Sequence, residues 1–529
     1  MQVHLLYKNR IFNPKQALPW NEQALVQDLE LETLFKAMSM DDDFLLDVVK
    51  NVVLTGMGNN PETINYRQAI LKDCLKNQAI VKEIYALAAE TIDKEKKNYW
   101  GIFSKYPDSV LYRSVEVLQM FVGALKKLRV IADEHAGKFN SEGFSNLFVL
   151  LKTELNDTYF ADMESHLEEL KFRDGHLMSA ELGKGNKGTN YILRKFPARR
   201  MGWFKRFILD HVWPELEDSK WRWAKRFVGE TASGYKFYIN SRDESGIRAL
   251  RYLKDEGINR VADALAQSDE HILDFFKSLK AELAFYLGCL NLHEQLEHLA
   301  EPVSFPEAIN SGNHSHHFEG LYDVCLALTT KQKVVGNEVN ANAKDLIIIT
   351  GANQGGKSTF LRSIGLSQLM MQCGMFVPAI SFRASISSAL YTHFKREEDS
   401  GMKSGKLDEE LDRMNQIINQ IVPGSILLFN ESFAATNERE GSEIARQIVN
   451  ALLDKGFRVF FVTHLYEFAF SFYDKKMNNA IFLRAERQPD GSRPFRLTEG
   501  EPLQTSYGGD LYKEIFQVTS VSLLKNKVL

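Results

Sequence analysis

From residue 28 to about residue 170, apolar side chains recur at three- and four-residue spacing, as in Leu45, Val48, Val49, Val52 and Val53, with polar residues between them. That period lines one face of successive helices, so the pattern predicts a helical region. Within it residues 114–131, carrying Val115, Val117, Leu118, Met120, Phe121, Ala124, Leu125 and Leu128, predict a helix buried over most of its circumference. Between residues 172 and 238 the texture changes. Gly175, Gly183, Gly185 and Gly188 punctuate short apolar runs, which predicts strands over 177–182 and 190–194 joined by a turn at Lys184-Gly185-Asn186-Lys187-Gly188. Long helices return over 243–299, where Ile272, Phe275, Phe276, Leu279, Leu283 and Tyr286 form one core-facing or lever-like stripe. From residue 301 onward strand and helix patterns alternate, which predicts a parallel sheet with crossover helices. At 529 residues the chain exceeds the size at which one core keeps growing. The expected parts are a helical core at 1–170, an insertion with short strands at 171–242, further long helices at 243–300, and an α/β domain with a short helical tail at 301–529.

Composition adds little until it is read locally. The chain is 44% hydrophobic and 25% charged, as globular proteins are, and its net charge of -4 excludes a uniformly basic coat. Residues 184–226, however, hold twelve Lys and Arg against four Asp and Glu, with four of the six tryptophans, Trp203, Trp213, Trp221 and Trp223. Lys184, Lys187, Arg194, Lys195, Arg199, Arg200, Lys205 and Arg206 could neutralise phosphates without reading sequence. Trp203, Trp221 and Trp223 could stack on exposed bases. Two other readings stay open for this segment: tryptophans that pack a helix pair together, and a face that touches anionic lipid. Cys74, Cys289, Cys325 and Cys373 are far apart with no CxxC pairing, which points to buried free thiols in a reducing compartment and not to a zinc site. No stretch approaches the roughly 18 apolar residues of a membrane span, and the N-terminus lacks a signal-like apolar run, so the expected location is the cytoplasm.

The chemistry concentrates in three strand ends. Leu346-Ile347-Ile348-Ile349-Thr350 is an uninterrupted β-branched run, as a strand buried on both faces requires. It feeds into Gly351-Ala352-Asn353-Gln354-Gly355-Gly356-Lys357-Ser358-Thr359, which fits the phosphate-binding pattern G-x-x-x-x-G-K-S/T. Glycines let the backbone curl so that successive N–H groups face phosphate oxygens, and the following helix adds its positive end. ATP is the ligand this implies, with Lys357 between the β- and γ-phosphates and the Ser358 hydroxyl on Mg²⁺. A second strand, 425–429, ends in Asn430-Glu431. Glu431 is the candidate general base for an attacking water. Asn430 stands where such enzymes place an Asp that serves the metal; its amide oxygen still accepts a hydrogen bond but brings no negative charge. A third strand, 458–462, ends in Thr463-His464, and His464 is the candidate that senses the γ-phosphate or the water.

These landmarks resemble the ATPase domain of the MutS family of DNA mismatch-repair proteins. Its loop TGxNxGGKST is similar to Thr350 through Thr359, including Asn353, and its FVPA segment to Phe376-Val377-Pro378-Ala379. The stretch E-x-G-R-G-T-S-T-x-D-G is similar to residues 431–441, which keep Glu431, Thr436 and Gly441. Thr463-His464 resembles the family's ATH strand end, and Ser506-Tyr507-Gly508 its late SYG. Upstream, Asp28-Leu29-Glu30-Leu31 and Tyr66-Arg67-Gln68 with Leu71 and Asp73 resemble its core and lever helices. The resemblance implies a multidomain chain: a helical core and lever with a clamp region in the basic segment, then an α/β P-loop ATPase domain of ABC type. It implies that Asn337 contacts the nucleotide base, that Val334 replaces a stacking aromatic, and that Ser404 reaches the γ-phosphate of a partner subunit, so that the chain acts as a homodimer. It also implies that the mismatch-reading domain with its Phe-x-Glu wedge, which has no room before Asp28, and an appended nuclease domain are both missing. The expected function is ATP-dependent, sequence-independent binding of duplex or branched DNA by a dimeric clamp. The alternative is a nucleotide-gated module of weak hydrolysis acting on RNA, a ribosome or a protein partner.

Overall fold

A computed structural model describes residues 1–99, 107–171, 177–182, 188–194, 244–310, 312, 314–396 and 405–504. Ser404, Ser506-Tyr507-Gly508 and most of the basic segment, with its tryptophans, lie outside the described residues. Eight helices come first: α1 (Glu22–Asp28), α2 (Leu31–Ser39), α3 (Asp43–Leu54), α4 (Pro61–Lys76), α5 (Gln78–Tyr99), α6 (Pro107–His135), α7 (Glu142–Glu154) and α8 (Asp157–Glu169). The hairpin β1 (Leu177–Leu182) and β2 (Gly188–Arg194) follows, then the 55-residue helix α9 (Glu244–His298). The remaining elements are β3 (Glu307–Ile309), β4 (His316–Leu321), α10 (Val324–Thr330), β5 (Asn337–Asn340), β6 (Leu346–Gly351), α11 (Lys357–Gln372), β7 (Ser381–Ser385) and β8 (Leu390–Phe394). They end with α12 (Lys406–Gln420), β9 (Ile426–Asn430), α13 (Glu438–Asp454), β10 (Arg458–Val462), α14 (Tyr466–Asp474), β11 (Ala480–Ala485) and β12 (Leu497–Glu499). A helical N-terminal region is thus followed by an α/β domain with two mixed sheets.

The chain divides into two compact units. One comprises Glu90–Lys127 and Glu154–Asp274. Its described elements are helical apart from the antiparallel β1–β2 hairpin, in which Leu177 faces Arg194 across the ladder. Ion pairs such as Lys126–Glu164 at 2.6 Å sit on its surface, where each contributes at most about 1 kcal/mol.

The other unit comprises Met1–Ala89, Leu128–Thr153 and Phe275–Leu529. Its larger sheet runs β12-β11-β6-β10-β9-β8, parallel throughout except for β12. All six residues of β6 are buried, as the unbroken apolar run requires of a central strand covered on both faces. Phe429 and Phe461 stack across β9 and β10 with centroids 4.9 Å apart, in a core that also holds Leu346, Ile348, Phe433, Val449 and Phe468. The smaller sheet, β3-β7-β4-β5, pairs β3 and β7 in parallel and the rest antiparallel. The alternation of strand and helix had predicted parallel pairing alone. Short strands such as β3, three residues long, carry too few positions to set a period.

Helix α11, which starts at Lys357, is fixed at both ends. Near its start Arg362 pairs with the buried carboxylate of Asp323, Nε to Oδ2 at 2.5 Å, and with Glu30. Asp323 in turn caps α10 by accepting from the Leu326 N–H. At its end the buried Arg67 donates to the Cys373 carbonyl at 3.0 Å and to the Leu6 carbonyl at 2.9 Å. Gly374 adopts φ +86°, and a Cβ there would lie 2.5 Å from that of Arg67, so only glycine fits. The predicted stripe on α9 is buried, and Glu282 interrupts it. Its carboxylate accepts from the Leu5 and Leu6 N–H groups, and burial pushes it up to about 7. All four cysteines are buried and free.

Candidate active site

The C-terminal ends of β6, β10 and β9, neighbours in the parallel sheet, carry the three predicted clusters. Brackets of backbone geometry shape the loop after β6. Gly351 has φ +111°, and a Cβ on it would lie 2.8 Å from the Ala485 backbone nitrogen at the end of β11. Gly356 has φ +85° at the N-cap of α11, so its need for glycine is conformational. Ala352 is buried, Asn353 and Thr359 are half-buried, and Gln354 is exposed with φ +58°.

Lys357 lies inside this loop, 5% exposed, and its ammonium donates to the Gly351 and Ala352 carbonyls at 3.0 and 2.8 Å. Burial lowers its pKa to about 8; Glu431 opposes the shift and the positive charge of Arg493 adds to it. Ser358, the next residue, donates its hydroxyl proton to the Asn430 amide oxygen at 2.9 Å. The structure therefore joins the two residues proposed from sequence for the metal. Both are neutral oxygen donors of the kind a hard dication accepts, yet neither supplies charge. Among the described residues no group of three or more His, Cys, Asp and Glu could hold a metal by itself.

Glu431 and His464 form the second pair, Nε2 to Oε1 at 2.9 Å, each side chain 30% exposed. That hydrogen bond, ahead of the charges of His464, Lys357 and Lys395, holds the Glu431 carboxyl below its ordinary range. Glu431 also takes a left-handed backbone, φ +55°, and Phe433 does the same at +62°. Such conformations cost roughly 1–3 kcal/mol each and persist only where the surroundings impose them. Here the Glu431 N–H donates to the Val462 carbonyl at 2.9 Å, and the Phe433 N–H donates to the buried Glu410 carboxylate at 2.9 Å. Between them the Ser432 hydroxyl meets His393 Nδ1 at 2.7 Å, while Nε2 faces the Glu410 carbonyl at 2.9 Å. Burial lowers the His393 pKa to about 4, which keeps the ring neutral with Nε2 facing the Glu410 carbonyl, and the Ser432 hydroxyl beside Nδ1 donates to the His393 carbonyl at 2.5 Å. A polar network thus holds Ser432 and Phe433, the two residues that follow Glu431. Nothing in the sequence pattern marked His393, Ser432 or Glu410.

Asn337 lies at the other flank. Its amide donates to the Phe495 carbonyl at 3.3 Å and accepts from the Leu497 N–H at 2.8 Å. Its tie to the site runs through the β11–β12 hairpin, which packs against Gly356 through Phe495. Phe495, 49% exposed, is an aromatic at the loop that sequence reasoning passed over in favour of position 334.

Fold and site together define an α/β domain whose parallel strands end in a glycine loop, a buried lysine and a carboxylate–imidazole pair, attached to a helical region. The comparisons assign its kin. Residues 59–299 match the family described as MutS2 N-terminal domain, and residues 347–518 match MutS domain V. The chain belongs to the MutS family. It is 28% identical over 247 residues to the DNA mismatch repair protein MutS of Streptococcus thermophilus, 45% of this chain and 28% of that protein. It is 29% identical over 282 residues to the Endonuclease MutS2 of Lacticaseibacillus paracasei, 52% of this chain and 34% of that one. With MutS of Chloroflexus aurantiacus the identity is 31% over 144 residues, 26% of this chain and 15% of the relative. The chain thus matches about a third or less of the length of these relatives. Among the described residues no helix is long and apolar enough to cross a membrane.

Proposed function

We propose that the 301–529 part is a P-loop ATPase domain and that the chain is an ATP-dependent, DNA-binding homodimer. The observation that supports the site most is the convergence of Lys357, the Ser358–Asn430 pair and the Glu431–His464 pair at three adjacent strand ends. The loop N–H groups and the α11 N-terminus receive the phosphates, and Lys357 leaves its two carbonyls for the β- and γ-oxygens. Mg²⁺, when bound with the nucleotide at Ser358 and Asn430, would screen phosphate charge. Glu431, kept ionised by His464, accepts a proton from the attacking water, and His464 holds the carboxylate in the accepting orientation. In the ATP-bound dimer, Ser404 is assigned to the partner's γ-phosphate.

Lys357 gives this reading a pH signature. Where its pKa is about 8, free protein loses the Lys357 proton as pH rises through that value, while bound phosphate favours the charged form. ATP affinity is therefore expected to be level below about pH 8 and to fall above it by up to about tenfold per pH unit. Lys357→Arg, whose side chain stays charged, should flatten the fall in an equilibrium titration across pH 7–9.5.

DNA is the proposed partner because of the basic, tryptophan-bearing segment 184–226 and because a relative is named as a DNA mismatch repair protein. We assign 171–242 to a clamp-like insertion between the helical core at 1–170 and the lever helices at 243–300, binding duplex or branched DNA without sequence preference. The test is steady-state ATP turnover with and without duplex, junction and single-stranded DNA and RNA. DNA that leaves turnover unchanged at every concentration would count against the clamp.

Asn430 favours a second reading, a nucleotide-gated module with weak hydrolysis that acts on RNA, a ribosome or a protein. Asn430→Asp keeps the Ser358 hydrogen bond and adds the missing charge, so it is expected to lower the Mg²⁺ concentration needed for turnover. A nearly inactive wild type that Asn430→Asp rescues supports the module; a brisk wild type supports the ATPase.

A further inference from the structure

The β11–β12 hairpin touches the glycine loop yet has no task in the scheme above. It is an ordered element: the Glu486 N–H donates to the Arg496 carbonyl at 2.8 Å and the Gln488 N–H to the Ser492 carbonyl at 2.9 Å, while Asn337 clasps its far end. On it sits Arg493, whose Nε and Nη2 atoms are buried and have no hydrogen-bond partner. A guanidinium cannot escape burial by losing its proton, so N–H groups left this way are costly until an anion meets them. The neighbourhood also holds Lys357, a buried cation whose pKa burial lowers and the positive charge of Arg493 lowers further. Two cations gathered beside a glycine loop, with Glu431 as the carboxylate that acts on Lys357, suit a polyanion.

We infer that Arg493 contacts the phosphates of the bound nucleotide and that, together with the neutral Asn430, it lets the site hold a triphosphate with little help from a divalent metal. The inference rests on the reading of the site as a nucleotide site. Its logic is charge balance. Replacing an acid by Asn430 removes one negative charge, and placing Arg493 at the loop adds one positive charge. The two changes equal the charge that a dication would bring. A guanidinium also offers paired N–H donors in a plane that matches two phosphate oxygens, which a lysine does not.

The test is equilibrium binding of ATP to the full chain, in saturating Mg²⁺ and in excess EDTA. Wild type is expected to bind in EDTA within about tenfold of its Mg²⁺ affinity. Arg493→Ala should lose on the order of thirtyfold or more in EDTA, the usual size for truncating one side of a buried charge contact, and less in Mg²⁺. Arg493→Lys should recover part of the loss, and retained binding in Mg²⁺ certifies that the variants are folded. Arg493→Ala that binds as wild type does in EDTA overturns the inference, and so does a wild type with no affinity in EDTA. Lys357→Ala separates this from failure of the site itself: if that variant binds ATP normally in both conditions, the nucleotide reading falls.

Discussion

Lys357→Ala is expected to weaken ATP binding by thirtyfold or more while leaving the protein as stable as before. The first half follows from position. The ammonium lies buried among loop carbonyls at the mouth of α11, where truncating one partner of a buried charged contact costs about 2–5 kcal/mol. The second half follows from the cost of keeping a cation there in the absence of phosphate. Burial lowers the Lys357 pKa, so the folded chain holds that charge at a penalty that alanine removes. The two lost hydrogen bonds to Gly351 and Ala352 offset part of this gain, each by about 1 kcal/mol. Titration with ATP and a thermal melt read the two halves separately. Retained affinity, or a collapsed melting temperature with no binding defect in the folded fraction, would break the argument.

Glu431→Ala should act on the later step. Hydrolysis is expected to fall by about 10²–10⁴, the usual contribution of a positioned base, with ATP affinity kept. Alanine at φ +55° bears the same kind of strain as glutamate, so the turn keeps its shape and the change is chemical. ATP-bound dimer should then accumulate, which gel filtration with ATP would register. A variant that turns over ATP at the wild-type rate would remove Glu431 from the mechanism.

How much of this was legible in sequence depends on whether the signal is local. The β6 run, the glycines and Lys357 are contiguous, and each residue type is dictated by its own backbone or its own chemistry, so the strand–loop–helix unit could be read directly. Glu431 and His464 were legible as strand-end residues, because β9 and β10 are also unbroken apolar runs. Their 2.9 Å contact was not, since it depends on strand order. Strand β8 hides Thr392 and His393 in a fully buried stretch, and no apolar pattern announces it. The Ser432–His393–Glu410 network joins three elements that are adjacent only in the folded sheet. Arg493 and Phe495 belong to a hairpin about 140 residues past the glycine loop, which the Asn337 side chain ties down through the backbone of Phe495 and Leu497, a pairing that no local pattern encodes. The N-terminal residues Leu5 and Leu6 are buried with their backbone groups met by Glu282, which accepts from both N–H groups, and by Tyr286 and Arg67, which donate to the two carbonyls, a use of polar residues that periodicity cannot foresee.

One titration bears most directly on whether the nucleotide site governs nucleic-acid binding: the affinity of wild type and Lys357→Ala for duplex DNA across a salt series, with and without ATP. Several phosphate contacts from the basic segment should make the affinity of wild type fall steeply and linearly on a log–log plot of salt, and ATP should shift that line. Lys357→Ala should keep the slope and lose the shift. A flat salt response, or an ATP shift that survives Lys357→Ala, would contradict an ATP-gated DNA clamp.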